Sequence, residues 1–428
     1  MGSSAPAPSS ASRTPFAALL AANAISLVGN QLTFVAVPWF VLQSTGSAAR
    51  AGQVGALGAL AAVIAAFVGG GLSDRLGARR TSIATDVASG VAVATIPLLY
   101  HTVGLAFWQL LPLVFLRALL NTPGGAARQS LLPALIALAG LRLERGNAAY
   151  QTVQNFSQLA GPALAGLLIA TLGTSNVLWI DAATFVVSAG IVARTIPATL
   201  GRPRPNDSGA ASPNFVAELR EGVRFLRRDR PVFTIAVTAT LGNFLGAALF
   251  AVILPVYARD RFGSAVDLGL ILAGWGGGAI AGAVLYGSVG LLLPRRPLLI
   301  AGAALNVPTA VLLAAAPSLP LAGAVGVLAC MGLFSGAANP LAFTLLQERV
   351  SEGLRGRVFG TVFALGGVTA PLAVLLAGYA LEGTGITVTL LGEAGGFLAL
   401  TAWLGLNPAL RHVAPPTAAR HPNGDSAS

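Results

Sequence analysis

Apolar residues in this chain run in long blocks rather than alternating with polar ones. A helix needs about 20 mostly apolar residues to cross a hydrocarbon core. Twelve stretches meet that length: residues 16–43, 50–72, 81–100, 104–127, 149–171, 176–198, 232–257, 266–291, 297–316, 319–343, 357–381 and 386–408. A membrane barrel would instead alternate over segments of about ten residues, unlike the run Ala59–Val68. The predicted fold class is an all-α membrane protein with twelve transmembrane helices. The first stretch follows a Ser/Ala/Pro tail that lacks a charged leader and a clear cleavage site. It reads as a retained helix, not a removed signal peptide.

Composition agrees: 55% of the 428 residues are hydrophobic and 10% charged, against roughly 25% charged in soluble domains. A soluble enzyme and a disordered chain are both excluded. The single cysteine, Cys330, and three scattered histidines (His101, His412, His421) predict neither a disulfide nor a metal site. The net charge of +11 comes from 26 arginines and no lysine. In a soluble protein such charge would suggest nucleic acid, so its position decides the matter. Twelve spans place both termini on one side. All but four arginines fall there, in the tails and the loops after even-numbered spans; Arg50, Arg259 and Arg261 lie opposite, and Arg117 lies deep in a span. The positive-inside rule then puts both termini in the cytoplasm of a bacterial inner membrane. Nucleic acid is not an expected partner; the lipid bilayer is.

The chain also repeats itself at an offset of 209–217 residues. Gly29-Asn30 matches Gly242-Asn243, Pro38 matches Pro255, Arg79-Arg80 matches Arg295-Arg296, Pro123 matches Pro340, and Pro162 matches Pro371. Two parallel six-helix repeats are an architecture of secondary transporters, with the substrate path between the halves. The expected organisation is a disordered tail (1–15), a first bundle (16–199), a cytoplasmic linker (200–231), a second bundle (232–409) and a disordered tail (410–428). Within the linker, Phe215, Leu219, Val223 and Leu226 share one helical face. That segment reads either as an interfacial helix on anionic headgroups or as a plain solvated linker.

The most specific motif follows the second span: Gly70-Gly71-Leu72-Ser73-Asp74-Arg75-Leu76-Gly77-Ala78-Arg79-Arg80. Gly77 suits a tight turn, and the arginines hold the loop in the cytoplasm. Here the sequence resembles the major facilitator superfamily, whose signature between helices 2 and 3 reads G-x-L-a-D-R-x-G-R-R; Ala78 departs from it. The resemblance implies that Gly70, Asp74, Arg75, Gly77, Arg79 and Arg80 form a conformational latch, with Asp74 meeting the region 355–359. Asp86 is expected to neutralise one of the loop arginines. Gly161, Pro162 and Gly166 in span 5 resemble the family's antiporter-associated helix-bend motif. The proline frees a backbone carbonyl and bends the helix, and Gly274, Gly278 and Gly282 of span 8 offer it a close-packing face. The stretches 29–48, 145–168 and 345–360 are similar to the drug-antiporter branch that contains enterobactin exporters and macrolide-efflux proteins.

Polar residues at lipid depth usually face a cavity or another helix. Arg117 occupies the family's deep-arginine position. It is either a structural partner of Asp181 or backbone carbonyls, or an anion site that senses protonation. Gln151, Asn155 and Gln158 share a broad face of span 5. Asn30, Gln31, Asn243 and Asn339 add amides, and Trp275 adds aromatic surface. The acids Asp181 and Glu393 fall on the peripheral spans 6 and 12. A cavity with one cation and many amides disfavours cationic cargo. The predicted activity is export of neutral or anionic amphipathic small molecules, macrolide-like or siderophore-like, by alternating access. The family implies proton antiport, with Asp181 as the first coupling candidate and Asp86 the second, the proton gradient as energy source and no cofactor. The expected state is a monomer. Uptake or facilitated transport of a metabolite, and a non-transporting sensor, remain the alternatives. An intramembrane enzyme would need a nucleophile and base at depth, and Ser335 has no histidine near it in the sequence.

Overall fold

A computed structural model describes residues 12–200, 215–290, 293–316 and 318–410. All regular structure among them is helical. The first half holds α1 (Thr14–Thr45), α2 (Ala48–Leu76), α3 (Ala78–Thr102), α4 (Phe107–Leu138), α5 (Leu143–Leu172) and α6 (Thr174–Thr195). A linker helix, α7 (Phe215–Arg228), leads to α8 (Arg230–Ala248), which continues through a π-helical turn (Leu249–Ile253) into α9 (Leu254–Arg261). The rest is α10 (Ala265–Val289), α11 (Arg295–Ala304), α12 (Asn306–Ala315), α13 (Leu321–Arg349) and α14 (Glu352–Leu406).

Among the described residues, eleven helical segments are long and apolar enough to cross a membrane. The last of them, α14, turns at Gly385 (φ 79°, ψ 172°) and so makes two crossings, which gives the twelve expected. Local chemistry sets many of the ends. Ser47, Asp229 and Ser264 each accept a backbone N–H at the start of α2, α8 and α10. Gly77 separates α2 from α3 at φ 83°, a backbone region that favours glycine. Prolines inside α1, α4, α5, α13 and α14 are tolerated because packed neighbours absorb the bends.

The cores reveal how the halves meet. At the end carrying the α1–α2 loop and the Gly385 turn, one continuous apolar cluster joins both halves, from Leu42 and Val54 to Val256, Leu268 and Val374. At the opposite end, where the tails emerge, there are two separate clusters. One holds Phe16, Leu131 and Val192 of the first half; the other holds Leu299, Leu345 and Leu400 of the second. The described halves therefore share a core at one end and part toward the tails.

Along the joined end the backbones nearly touch. A side chain on Gly52 would lie 2.8 Å from the Cα of Gly378, and Gly55 faces Val374 at 2.9 Å. Gly166 would meet the carbonyl of Ala265, and Gly269 that of Pro162. The expected glycine face of span 8 needs correcting. Gly274, Gly278 and Gly282 pack on the carbonyls of Val325, Ala329 and Leu333 in α13, within the second half. It is Gly269 and Gly276, on a different face of α10, that meet α5. The linker helix α7 packs on the second half: Leu226 is buried in its core, Gly222 sits against Thr361, and Glu221 accepts from Arg357 at 2.6 Å. The side chains of Phe215 and Leu219 lie outside the described residues.

Replacing Gly278 with Leu should force α10 and α13 apart and lower the melting temperature in detergent, at an overpacking cost of about 1–3 kcal/mol. Gly287→Leu, where no atom lies within 4 Å of the added carbon, should leave it unchanged.

Candidate functional site

Two charged clusters lie inside the first half, and one face of α1 reaches both. Asn23, Ser26, Asn30 and Thr33 recur at helical spacing along that face. Arg117 and Arg128 lie about three turns apart on α4, so they also share a face.

The deeper cluster centres on Arg117. Its Nη2 donates to Asn30 Oδ1 at 2.8 Å and lies 3.5 Å from Asp181 Oδ2. Asn30 in turn donates to Asn121 at 3.3 Å. Thr33 donates to Asp181, as does Thr184 at 3.3 Å. The guanidinium stands 5.9 Å from the Phe185 ring, within cation–π range. Gly29 permits this arrangement, because any side chain there would run into Thr184 and Asp181. Both sequence readings of Arg117 bear on this geometry: it has its carboxylate partner, yet Nε has no hydrogen-bond partner among the described residues and the side chain keeps 12% exposure.

The second cluster was not legible as such. Asp86 does not offset an arginine of the α2–α3 loop: it forms a two-pronged pair with Arg128, both oxygens 2.8 Å from Nη1. Ser188 donates to Asp86 at 2.8 Å, while Arg128 also donates to Asn23 (3.3 Å) and Ser26 (3.1 Å). The apolar run of span 4 ends before Arg128 and predicts a loop position for it, but α4 extends past it and leaves its side chain 2% exposed. Arg117 is thus not alone at depth. The available signal was the interval from Arg117, which fits a common helix face.

The loop motif divides. Arg79 caps the end of α6, donating to the carbonyls of Ile196 (2.8 Å) and Ala193 (2.6 Å), while Arg75 and Arg80 are exposed. The surroundings of Gly70 and the side chain of Asp74 lie outside the described residues, and with them the expected contact to 355–359.

Of the predicted cavity residues, Asn30 and Arg117 belong to the deep cluster of the first half, while Gln151, Asn155 and Gln158 lie on α5, which meets α10 of the second half. On α5, the face that meets α10 runs through Gly166, Pro162 and Leu159. At helical spacing it continues into Asn155 and Gln151, where the halves have separated. Both are exposed, and Gln151 donates to Asn155 at 3.1 Å; Gln158 is exposed as well. Gly161 lies against the side chain of Gln31 on α1. Asn243 and Asn339 are exposed, and Asn243 donates to the Gly366 carbonyl at 2.6 Å. Trp275 lies 4.6 Å from Phe250, and its buried Nε1 has no partner among the described residues. An aromatic group was missed: Phe343 stacks on Phe359 at 6.0 Å and lies 5.9 Å from Phe363. Phe363 continues the α14 face that meets α2 through Gly378, Val374 and Gly367.

At the joined end the halves are also pinned by polar contacts. Glu382 accepts from Ser47 Oγ at 2.6 Å and from the Ala49 N–H at 2.9 Å. Gln53 donates to Tyr379 at 2.8 Å, and Arg259 donates to the Gly46 carbonyl at 3.1 Å. The bonds from Ser47 and the Ala49 N–H hold the Glu382 carboxyl below the usual carboxylate range. The contact is therefore retained at neutral pH and lost as pH falls through that lowered value.

The profile of the Major Facilitator Superfamily matches residues 19–265 and 236–426. The multidrug efflux pump Tap of Mycobacterium tuberculosis is 32% identical over 385 residues, covering 89% of this chain and 90% of the pump. Tap of Mycolicibacterium fortuitum is 30% identical, covering 94% and 97%. Macrolide efflux protein A of Streptococcus pyogenes is 24% identical, covering 84% and 88%. Among solved structures, a variant of the nucleoside transporter NupG superposes with a TM-score of 0.77 at 12% identity, covering 91% of this chain and 99% of that one. The human organic anion transporter MFSD10 superposes at 0.57 and 17% identity, covering 92% and 99%. Those two likenesses concern the fold alone.

The Asp86–Arg128 pair is buried and fully committed, so breaking it should be costly. Asp86→Asn should lower thermal stability in detergent by about 3–5 kcal/mol, the usual cost of stranding one buried charge. Replacing both residues with leucine should recover much of that loss.

Proposed function

The chain belongs to the major facilitator superfamily and is a membrane transporter, not an enzyme; on that premise we propose that it is a drug exporter working by alternating access and proton antiport. Its cargo is neutral or anionic amphipathic molecules, macrolide-like or siderophore-like. The observation that carries the reading is the α5 face, which seals against α10 at one end and becomes the exposed amides Asn155 and Gln151 where the halves part. Amides satisfy hydrogen-bonding groups of a cargo without demanding a counter-charge. The Phe343, Phe359 and Phe363 group adds the apolar surface that such sites need. Arg117 supplies a deep, partly accessible cation, which favours anions and disfavours a second cation.

The arginine asymmetry supports a bacterial inner-membrane location with both termini in the cytoplasm, so the cavity opens toward the cytoplasm in this state. Full-length likeness to the Tap pumps and to macrolide efflux protein A supports outward export. Asp181 is the coupling carboxyl: taking a proton cancels its attraction for Arg117 and leaves Asn30 to hold the guanidinium. Asp74 at the α2–α3 loop secures the opposite, outward-facing state. The transporter acts as a monomer in the bilayer and uses the proton gradient with no cofactor.

An efflux-deficient bacterial host expressing the protein should accumulate less of the macrolide erythromycin and survive higher doses. Arg117→Ala and Asn155→Ala should weaken that export, the former by about tenfold or more, as expected for losing a hydrogen bond to a charged group. Export of ethidium exceeding that of erythromycin would contradict the charge assignment. Unchanged export by both variants would contradict the cavity.

A further inference from the structure

The two halves treat their buried acids differently. Asp181 is the eighth residue of α6, counted from Thr174, and α6 follows the positive-φ Gly173 (φ 82°). Glu393 is the eighth residue after Gly385 (φ 79°), in the second arm of α14. The offset of 212 residues lies within that of the internal repeat, so Glu393 is the counterpart of Asp181. Helix packing agrees: α1 meets α6 through Gly29, and the second arm of α14 meets α8 where Gly396 lies against Leu245.

The first half gives its acid a complete set of partners. The second half keeps the acid and drops the cation. At the repeat offset set by Pro123 and Pro340, the position of Arg117 is taken by Phe334 and that of Arg128 by the buried Leu345. Glu393 is 7% exposed, and its Oε1 has no hydrogen-bond partner among the described residues. The charged and titratable groups on the surrounding helices sit elsewhere along their length. On α8 and α9 they are Arg230 at one end and Tyr257, Arg259, Asp260 and Arg261 at the other. On α11 they are Arg295 and Arg296 at its start, and on the first arm of α14 they are Glu352, Arg355 and Arg357 at one end and Tyr379 and Glu382 at the other. None of them forms an ion pair with Glu393 in the described structure.

A carboxylate stranded in this way would be an uncompensated charge in a membrane-embedded core, which costs several kcal/mol. A bound proton removes the charge and supplies an O–H donor. We propose that Glu393 is a second proton-binding site of the transporter, occupied in the state seen here and emptied when the halves rock apart at the joined end. This rests on the proton-antiport reading and assigns the second half its own carrier. The route for water lies at Gly242: where Gly29 closes on Asp181, Gly242 on α8 has no atom within 4 Å of an added side-chain carbon. Asp181, with Arg117 beside it, has a counter-charge; Glu393 depends on the proton.

The test uses the full chain in phosphatidylethanolamine–phosphatidylglycerol vesicles. Infrared difference spectra between acid and alkaline pH should show a protonated-carboxyl band that vanishes in Glu393→Gln and persists in Glu393→Asp and Asp181→Asn. A band unchanged in Glu393→Gln, or no titrating band in the wild type, overturns the proposal. With erythromycin as probe, Glu393→Gln should lose accumulation driven by a pH gradient, falling to simple equilibration, and keep gradient-free exchange. Undiminished driven accumulation in Glu393→Gln also overturns it. Absence of driven accumulation in the wild type refutes antiport instead, and the infrared spectra then decide on their own whether Glu393 binds a proton.

Discussion

A charge buried in a membrane-embedded helix bundle must have a partner, and much of the first half is arranged around that requirement. Arg117 and Arg128 stand on one face of α4, and each needs an acid and several neutral acceptors within reach. Asp181 and Asp86 supply the acids from α6 and α3. One polar face of α1, from Asn23 to Thr33, supplies acceptors and donors for both clusters. Four helices are thereby fixed in register, because sliding any of them by a turn would strand a charge. Among the described residues the second half has no equivalent buried pair: Phe334 and Leu345 take the positions that match Arg117 and Arg128, Glu393 keeps that of Asp181, and the helices pack through glycines against backbone carbonyls in α10 and α13.

This division suits a machine in which one half serves as a rigid reference and the seam between the halves moves. At the joined end the halves meet through small residues and a few exposed polar contacts, among them Glu382 with Ser47. Such contacts are individually weak and are made or broken at little cost. At the tail end the cores are separate. The amides of α5 lie along the face that meets α10 higher up, and Phe363 of α14 along the face that meets α2.

The helices and their number were legible because twenty-residue apolar runs have few alternative explanations, and the doubled architecture was legible from ordered glycine, proline and arginine matches. The Arg117–Asp181 pairing was also visible as a possibility, since both are charges that lipid cannot accommodate. Arg128 was misplaced because α4 runs beyond the apolar stretch that marked its span: hydropathy locates the part of a helix in lipid, not the helix end. The glycine run of α10 was assigned to the wrong neighbour because a small-residue stripe states that something packs closely without stating what. The aromatic group of Phe343, Phe359 and Phe363 was hidden because a phenylalanine in an apolar run looks the same whether it faces lipid or cargo.

The central claim is that the halves rock about the joined end, opening one side as the other closes. In a Cys330→Ser background, spin labels at Arg145 and Arg349 report the tail end, and labels at Thr45 and Gly383 report the joined end. On addition of erythromycin across a pH gradient, electron–electron distance measurements should show the tail-end distance shortening while the joined-end distance lengthens. Distances that stay fixed, or that change in the same direction at both ends, would contradict the account.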